Sequence, residues 1–199
     1  MVVDTAFDKG VTVWLTGLPS AGKSSIAQEA GKVLLRRGVR VQVLDGDEIR
    51  GHLCADLGFS RADRDTNVRR VGFVAELLAR NGIVVLVPVI APYRDSRAAV
   101  RALHEGSGTP YVEAFVDTPL ALCAQRDVKG LYARQRTGRM TGLTGVDDPY
   151  EAPEQPEIRI TTADRDVTGS ALDLVVAIGQ FMAGRVARKF APTGTHPTT

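Results

Sequence analysis

The chain has 199 residues, of which 44% are hydrophobic and 24% charged, and its net charge at pH 7 is +2. This length and composition predict one α/β domain with a substantial core. Because the charge is nearly balanced, we expect no nucleic-acid partner and no attraction to an anionic membrane. We also expect no membrane-spanning run, and no signal peptide because residues 1–10 lack its apolar segment.

The cysteines and histidines are too few and too scattered to suggest a metal cluster. Cys54 and Cys123 fall in segments with helical patterns, so buried free thiols are expected, and these favour a reducing, cytoplasmic setting. His52, His104 and His196 are expected at the surface or at helix ends.

The first predicted elements form a nucleotide-binding motif. Residues 11–16 predict a strand, residues 17–24 follow the pattern G-x-x-x-x-G-K-S, and residues 25–37 predict a helix. A strand, a glycine-rich turn and a helix are the context that a P-loop requires. Gly17 and Gly22 permit backbone conformations that let the loop N–H groups surround a chain of phosphates. Lys23 would add positive charge near the β- and γ-phosphates, and Ser24 would offer a hydroxyl to Mg²⁺.

Two acidic residues end the next predicted strand, residues 39–44. Asp45 and Asp47 would lie at the carboxyl edge of a parallel sheet, where such sheets bind ligands. One carboxylate could join the magnesium shell, and the other could accept a proton from an acceptor hydroxyl. The structural alternative is an Asx turn, which the sequence Asp-Gly-Asp forms unaided. The position at a strand end favours the functional interpretation.

The segments after this acidic pair carry a candidate acceptor pocket. Arg50, Arg64 and Asn67 could bind an anion, although a solvated charged face is the commoner role for such residues. Phe59 could stack on a planar base, although an isolated aromatic residue more often belongs to the core. Together these residues favour an acceptor that is both anionic and aromatic, such as a nucleotide.

The remaining predicted elements alternate strands with helices, which favours a mostly parallel sheet with helices on both faces. Residues 128–156 are too long and too polar for a simple connection, and their arginines and glycines predict a basic lid. The predicted organisation is an N-terminal extension (1–10), one domain (11–189) and a disordered tail (190–199). Further strands are predicted over residues 83–87, 111–116 and 158–160, and helices over residues 48–57, 60–80, 96–104, 117–127 and 167–188.

A P-loop predicts a nucleoside triphosphate and Mg²⁺ but leaves the acceptor open. A motor, a switch GTPase and a small-molecule kinase are all compatible with it, and the missing Asn-Lys-x-Asp motif weakens the GTPase. Chain length and a basic lid favour a kinase, which must exclude water to avoid hydrolysing its nucleotide. A nucleotide-binding protein without catalysis is disfavoured, because Lys23, Ser24, Asp45 and Asp47 are intact.

Several motifs in order resemble the adenylylsulfate kinase (APS kinase) family over residues 11–160. The resemblance implies a three-layer P-loop kinase fold and transfer of phosphate from MgATP to the 3′-hydroxyl of adenosine 5′-phosphosulfate. It also implies a homodimer, with ATP sulfurylase as a candidate partner. The competing hypothesis keeps the same chemistry with another nucleotide or a hydroxy metabolite as the acceptor. The matching stretches are LDGDEIR (44–50), DLGFS (56–60), ADR (62–64), NVRRV (67–71), FVDTPL (115–120), RDVKGLY (126–132) and YEAP (150–153).

The same resemblance assigns roles to individual residues. Asp47 would be the base at the 3′-hydroxyl, with Asp45 beside it, and would share Mg²⁺ with Ser24. The ATP site would comprise Gly17, Ser20, Ala21, Gly22, Lys23, Ser24 and Ser25, with Arg126 near the adenine. The acceptor site would comprise Asp47, Arg50, Phe59, Arg64, Asn67, Ile90, Ala91, Lys129, Gly142 and Leu143, with Phe59 stacked on the adenine.

Two positions depart from the family pattern. Ala91 stands where the family usually has the serine of Ile-Ser-Pro, which some bacterial members are assigned as a phosphoserine. An active enzyme would therefore transfer phosphate directly from ATP. Leu143 stands where the family commonly has a phenylalanine that closes on the acceptor adenine. Losing that π face costs about 1 kcal/mol of stacking, so we expect weaker acceptor binding than two aromatic residues give.

Overall fold

The computed structural model describes residues 10–189, and their side chains as far as residue 184. Residues 1–9 of the predicted extension, the predicted tail and His196 lie outside this range. The described elements are β1 (Val11–Thr16), α1 (Lys23–Arg36), β2 (Val41–Val43), α2 (Gly46–Leu53), α3 (Arg61–Arg80), β3 (Val84–Val87), α4 (Arg94–Ser107), β4 (Tyr111–Asp117), α5 (Leu120–Arg126), α6 (Leu131–Arg136), β5 (Ile158–Thr161) and α7 (Val167–Lys189).

The five strands of the described chain form one parallel sheet in the order β2-β3-β1-β4-β5. Every residue of β1 and β3 is buried, and apart from Thr12 and Thr16 in β1 both sequences are apolar, as expected for strands covered on both faces. β1 lies at the centre, so the P-loop that follows it leaves the middle of the carboxyl edge. This arrangement confirms the predicted α/β fold.

Helices cover both faces of the sheet and give three layers. On one face α1 packs against α7, and Ile26, Leu34, Leu174 and Ile178 share a buried apolar cluster with the sheet. On the other face α3 packs against α4 around a second cluster that includes Trp14. The clusters fix the sheet between rigid layers, which is what holds the carboxyl edge in place.

The closing helix α7 differs from the expectation that no run reaches the length of a membrane span. Its window Val167–Gly184 has a mean hydropathy of 1.4 and is long and apolar enough to cross a bilayer. A third of that window is buried inside the fold. Leu174, Ile178 and Met182 belong to the core cluster, and a core helix meets the same criterion of length and composition. By length and composition alone, the expectation was wrong.

The predicted lid contains a helix that the sequence analysis missed. α6 begins after Gly130, and the Asp127 carboxylate accepts hydrogen bonds from the backbone N–H groups of Tyr132 and Ala133 at 3.0 and 2.9 Å. This cap satisfies two of the free donors of the first turn, so the short helix forms in a glycine-rich segment.

His104 lies in the last turn of α4, which is one of its two predicted places, but it is not at the surface. Its ring is fully buried, with Nδ1 at 2.8 Å from the Val100 carbonyl and Nε2 at 2.9 Å from the Thr12 hydroxyl. Because a carbonyl only accepts, Nδ1 carries the proton, and burial lowers the pKa of the ring. Cys54 and Cys123 are buried free thiols, as predicted.

Candidate active site

The P-loop has the backbone that its glycines predict. Gly17 has φ of 152°, and a side chain there would place a Cβ 2.6 Å from the Val116 carbonyl oxygen. Gly22, with φ of 103°, precedes the first turn of α1. Both positions lie in the left-handed region of φ, so the loop turns sharply and directs the start of α1 at the carboxyl edge.

The Lys23 side chain packs against the backbone of this loop. Its ammonium donates hydrogen bonds to the carbonyls of Gly17 and Leu18 at 2.9 and 2.7 Å, and only 8% of the residue is exposed. Burial away from water lowers the pKa of this amine from its usual 10.5 to about 7. A phosphate chain bound in the loop would place negatively charged oxygens beside this buried ammonium, whose hydrogen bonds go to two neutral carbonyls.

The two acidic residues at the end of β2 have different surroundings. Asp45 is the N-cap of α2, and its Oδ1 accepts a hydrogen bond from the Asp47 N–H at 3.0 Å. Asp45 therefore has the local structural role that the Asx-turn alternative predicts. The Asp47 carboxylate is largely exposed and accepts a hydrogen bond from the Lys129 ammonium, which joins the lid segment to α2.

Phe59 and two arginines meet between α2 and α3. Phe59 is 68% exposed, with the Arg50 guanidinium 4.2 Å from its ring centroid and that of Arg64 at 5.9 Å. Arg50 also donates to the carbonyls of Leu57 and Gly58, and these bonds hold the turn that presents the ring. The structure thus brings an exposed aromatic face and two cations to one place, as the sequence predicted.

Arg64 also connects this corner to the lid. Its guanidinium donates to the Gly142 carbonyl at 2.8 Å and to the Thr144 hydroxyl at 2.9 Å. Gly142 is therefore a support for Arg64, and it is not among the residues that line the central cavity. Leu143 is 2% exposed and belongs to the apolar cluster beneath the P-loop. Like Gly142, Leu143 is not among the residues that line the central cavity. Its contact with the acceptor adenine stays a prediction.

The loop after β3 is fixed by a buried arginine that the sequence analysis did not single out. Ala91 has φ of 44°, which is unusual for a residue with a side chain. Arg97 donates to the Ala91 carbonyl at 2.8 Å, to the Glu151 carbonyl at 2.7 Å and to the Glu113 carboxylate at 2.7 Å. The neighbouring Ile90 carbonyl accepts a hydrogen bond from Thr16. Arg97 therefore joins the loop to the end of the lid.

The other side of the P-loop carries Arg126. Its guanidinium donates to the Thr162 carbonyl at 2.8 Å and lies 3.4 Å from the Ala21 carbonyl. These bonds hold the guanidinium plane beside the loop. Thr162, which follows β5, had no signal in the sequence, because only the sheet order brings it to this position.

One cavity of about 640 Å³ joins these parts. It is lined by residues 19–24 of the P-loop, both acidic residues, Arg50, Phe59, Arg64, Asn67, the loop after β3, Arg126 and Lys129, whereas Gly17 is not among its lining residues. The Asn67 Oδ1 is buried there without a hydrogen-bond partner, which leaves an acceptor free for a ligand. Sequence analysis missed further lining residues, namely Pro19, Ile26, Gly46, Val68, Val89, Pro92, Val128, Leu131, Thr162, Arg165, Asp166, Val167 and Ser170.

A buried P-loop lysine and a second set of polar and aromatic side chains around the same cavity define a P-loop phosphotransferase with room for donor and acceptor. A family model of adenylylsulphate kinase matches residues 9–161. The chain belongs to the adenylylsulfate kinase family.

Individual relatives agree with this assignment. The adenylyl-sulfate kinase of Synechococcus sp. (strain JA-3-3Ab) is 52% identical over 168 residues, which cover 84% of this chain and 93% of that protein. The Mycobacterium tuberculosis APS kinase CysC, solved in complex with AMPPNP and APS, superposes with a TM-score of 0.83 at 47% identity and covers 85% of this chain and 98% of its own. The hexameric APS kinase from Thiobacillus denitrificans has a TM-score of 0.68 at 33% identity, over 89% of this chain and 30% of its own.

Proposed function

We propose that this chain transfers the γ-phosphoryl group of ATP to the 3′-hydroxyl of adenosine 5′-phosphosulfate, giving ADP and 3′-phosphoadenosine 5′-phosphosulfate. The observation that carries this proposal is the single cavity in which the P-loop and the Phe59 corner face the same space. The structure of the M. tuberculosis relative with AMPPNP and APS supports the choice of donor and acceptor.

The donor triphosphate lies on the P-loop. Its phosphates accept hydrogen bonds from the loop N–H groups at the start of α1, and Lys23 supplies a positive charge from below. Because Lys23 already donates to two carbonyls of the loop, its amine is held in position before the nucleotide arrives. Little reorganisation is then needed when charge moves during transfer.

The residues at the phosphate end fit a magnesium ion. The described residues contain no group of three or more His, Cys, Asp or Glu that would bind a metal alone. Ser24 and Asp47 offer one hydroxyl and one carboxylate to the same cavity, and Mg²⁺ commonly takes one or two protein oxygens together with substrate phosphates. When bound, the ion would neutralise charge on the transferring phosphate.

Asp47 is the residue that we assign to the acceptor hydroxyl. It accepts the 3′-hydroxyl proton as the oxygen forms its bond to the γ-phosphorus, while the bond from that phosphorus to the bridging oxygen breaks and ADP leaves. The Lys129 ammonium donates a hydrogen bond to this carboxylate. When Asp47 binds the acceptor hydroxyl instead, Lys129 binds the acceptor. Ala91 has no hydroxyl, and transfer at this site is therefore direct.

The acceptor is held by the cationic and aromatic corner. Phe59 stacks on its adenine, and the unpaired Asn67 Oδ1 accepts a hydrogen bond from it. Arg50 and Arg64 bind its anionic groups. The segment 128–156 closes over both nucleotides and excludes water, which would otherwise compete as acceptor. Residues 11–189 would form the catalytic domain, with the lid as its mobile part.

The setting of the enzyme is proposed from the family. We place it in the cytoplasm as a homodimer, with ATP sulfurylase as the partner that makes its acceptor. The hexameric T. denitrificans relative is a different assembly, so size measurement of the purified protein in solution is the direct test of the dimer.

A coupled ADP-release assay with ATP, Mg²⁺ and adenosine 5′-phosphosulfate tests the proposed reaction. We expect ADP and 3′-phosphoadenosine 5′-phosphosulfate in equal amounts. Turnover with a different nucleotide or hydroxy metabolite, but not with this acceptor, would replace the proposed substrate. ATP binding without turnover on any acceptor would show that the chain is not a kinase.

A further inference from the structure

Ser170, in the first turns of α7, has a side chain that the described fold leaves unsatisfied. The residue is 1% exposed, and its Oγ has no hydrogen-bond partner among the described residues. Its backbone N–H is bonded to the Asp166 carbonyl, so the hydroxyl alone lacks a partner. Buried hydroxyls are nearly always paired, and Ser170 is among the residues that line the central cavity. A ligand in the cavity is therefore the natural partner for it.

The sheet order shows which nucleotide would meet this hydroxyl. The P-loop leaves β1 at the centre, the acceptor residues follow β2 and β3 on one side, and Arg126 and Ser170 follow β4 and β5 on the other. The γ-phosphate must point towards Asp47 for transfer to occur. The base of the same nucleotide must then extend the opposite way, towards Thr162 and α7.

The surroundings of Ser170 suit a planar base. Arg126 is fixed by Thr162 and presents a guanidinium plane, while Val128, Leu131 and Val167 add apolar surface to the same cavity. In such pockets the apolar surface buries the ligand, and a few placed polar groups fix its orientation and give specificity. A hydroxyl can donate or accept, so it can pair with either kind of group on the edge of a base.

We propose that the Ser170 hydroxyl hydrogen-bonds the base of the donor nucleotide and contributes to donor selection. This inference rests on the proposed function only in taking ATP as the donor. It adds a specificity-determining residue on α7, outside the P-loop and outside the acceptor corner.

Calorimetric binding of two probes, without any acceptor, tests this role. The probes are ATP and inorganic tripolyphosphate, which has the phosphates but no base. Ser170→Ala should raise the Kd for ATP about 3- to 10-fold, the range of a neutral hydrogen bond, and leave the Kd for tripolyphosphate unchanged. The ligand-free variant should unfold at the same or a higher denaturant concentration, because it no longer buries an unpaired hydroxyl.

Thr168→Ala is the matched control, because it removes a hydroxyl from an exposed position in the same turn of α7. We expect it to leave both dissociation constants unchanged. An unchanged Kd for ATP in Ser170→Ala would overturn the proposal, and so would equal weakening of ATP and tripolyphosphate. Since no acceptor is present, failure of the proposed reaction with adenosine 5′-phosphosulfate would appear only in the ADP-release assay and would leave this result standing.

Discussion

Phe59→Ala separates acceptor stacking from folding. The ring is 68% exposed, and its described ring contacts are the guanidinium groups of Arg50 and Arg64. Its removal should lower the free energy of unfolding by less than about 1 kcal/mol, as for an exposed cation–π contact. Stacking of a base on an aromatic side chain contributes about 1–3 kcal/mol by alanine substitution. The KM for adenosine 5′-phosphosulfate should therefore rise about 5- to 150-fold.

Initial rates with each substrate varied in turn measure this effect. The KM for ATP should stay the same, because the proposed donor site lies on the other side of the P-loop from Phe59. Phe73→Ala is the matched control, since Phe73 is 56% exposed on α3 and does not line the cavity. We expect it to change neither KM. An unchanged acceptor KM in Phe59→Ala, or an equal rise in Phe73→Ala, would refute the stacking assignment.

Three further changes test other parts of the site. Asp47→Asn should lower kcat about 100-fold or more while calorimetry finds ATP binding largely intact, and near-normal turnover would remove Asp47 as the base. The pKa of Lys23 is about 7 in the fold and 10.5 in the unfolded chain, so the folded protein binds fewer protons at this group between those pH values. The free energy of unfolding of the ligand-free protein should therefore rise by about 2 kcal/mol between pH 7 and 9. Denaturant titrations of Lys23→Met should lack that gain, and an identical pH dependence would contradict the lowered pKa of Lys23. Arg97→Met should destabilise the fold by about 3–5 kcal/mol, because it leaves the Glu113 carboxylate without its buried partner. A loss below 1 kcal/mol in the same titration would refute that account of Arg97.

The parts of the site that are local in sequence could be predicted. The P-loop needs one strand, eight loop residues and one helix, and all three follow one another along the chain. Asp47, Phe59 and Arg64 are likewise close in sequence and follow strand or helix ends. Their positions around the cavity agree with the prediction, although their roles in binding and catalysis stay predictions until they are tested.

The parts that depend on strand order could not be predicted. Thr162 and Ser170 reach the cavity because β5 lies beside β4, and no local pattern marks that neighbourhood. No local pattern marks Arg97 either, because two of its partners, Glu113 and Glu151, lie 16 and 54 residues along the chain. Leu143, which is expected at the acceptor, packs in the apolar cluster, and its contact with the acceptor adenine stays a prediction.

The proposed function depends on direct transfer of the γ-phosphoryl group from ATP to the acceptor nucleotide. A single-turnover reaction with γ-labelled ATP, Mg²⁺ and adenosine 5′-phosphosulfate tests this transfer. We expect the label to move to the 3′-position of the nucleotide product and none to be found on the protein. Label retained on the protein, or released only as inorganic phosphate, would contradict it.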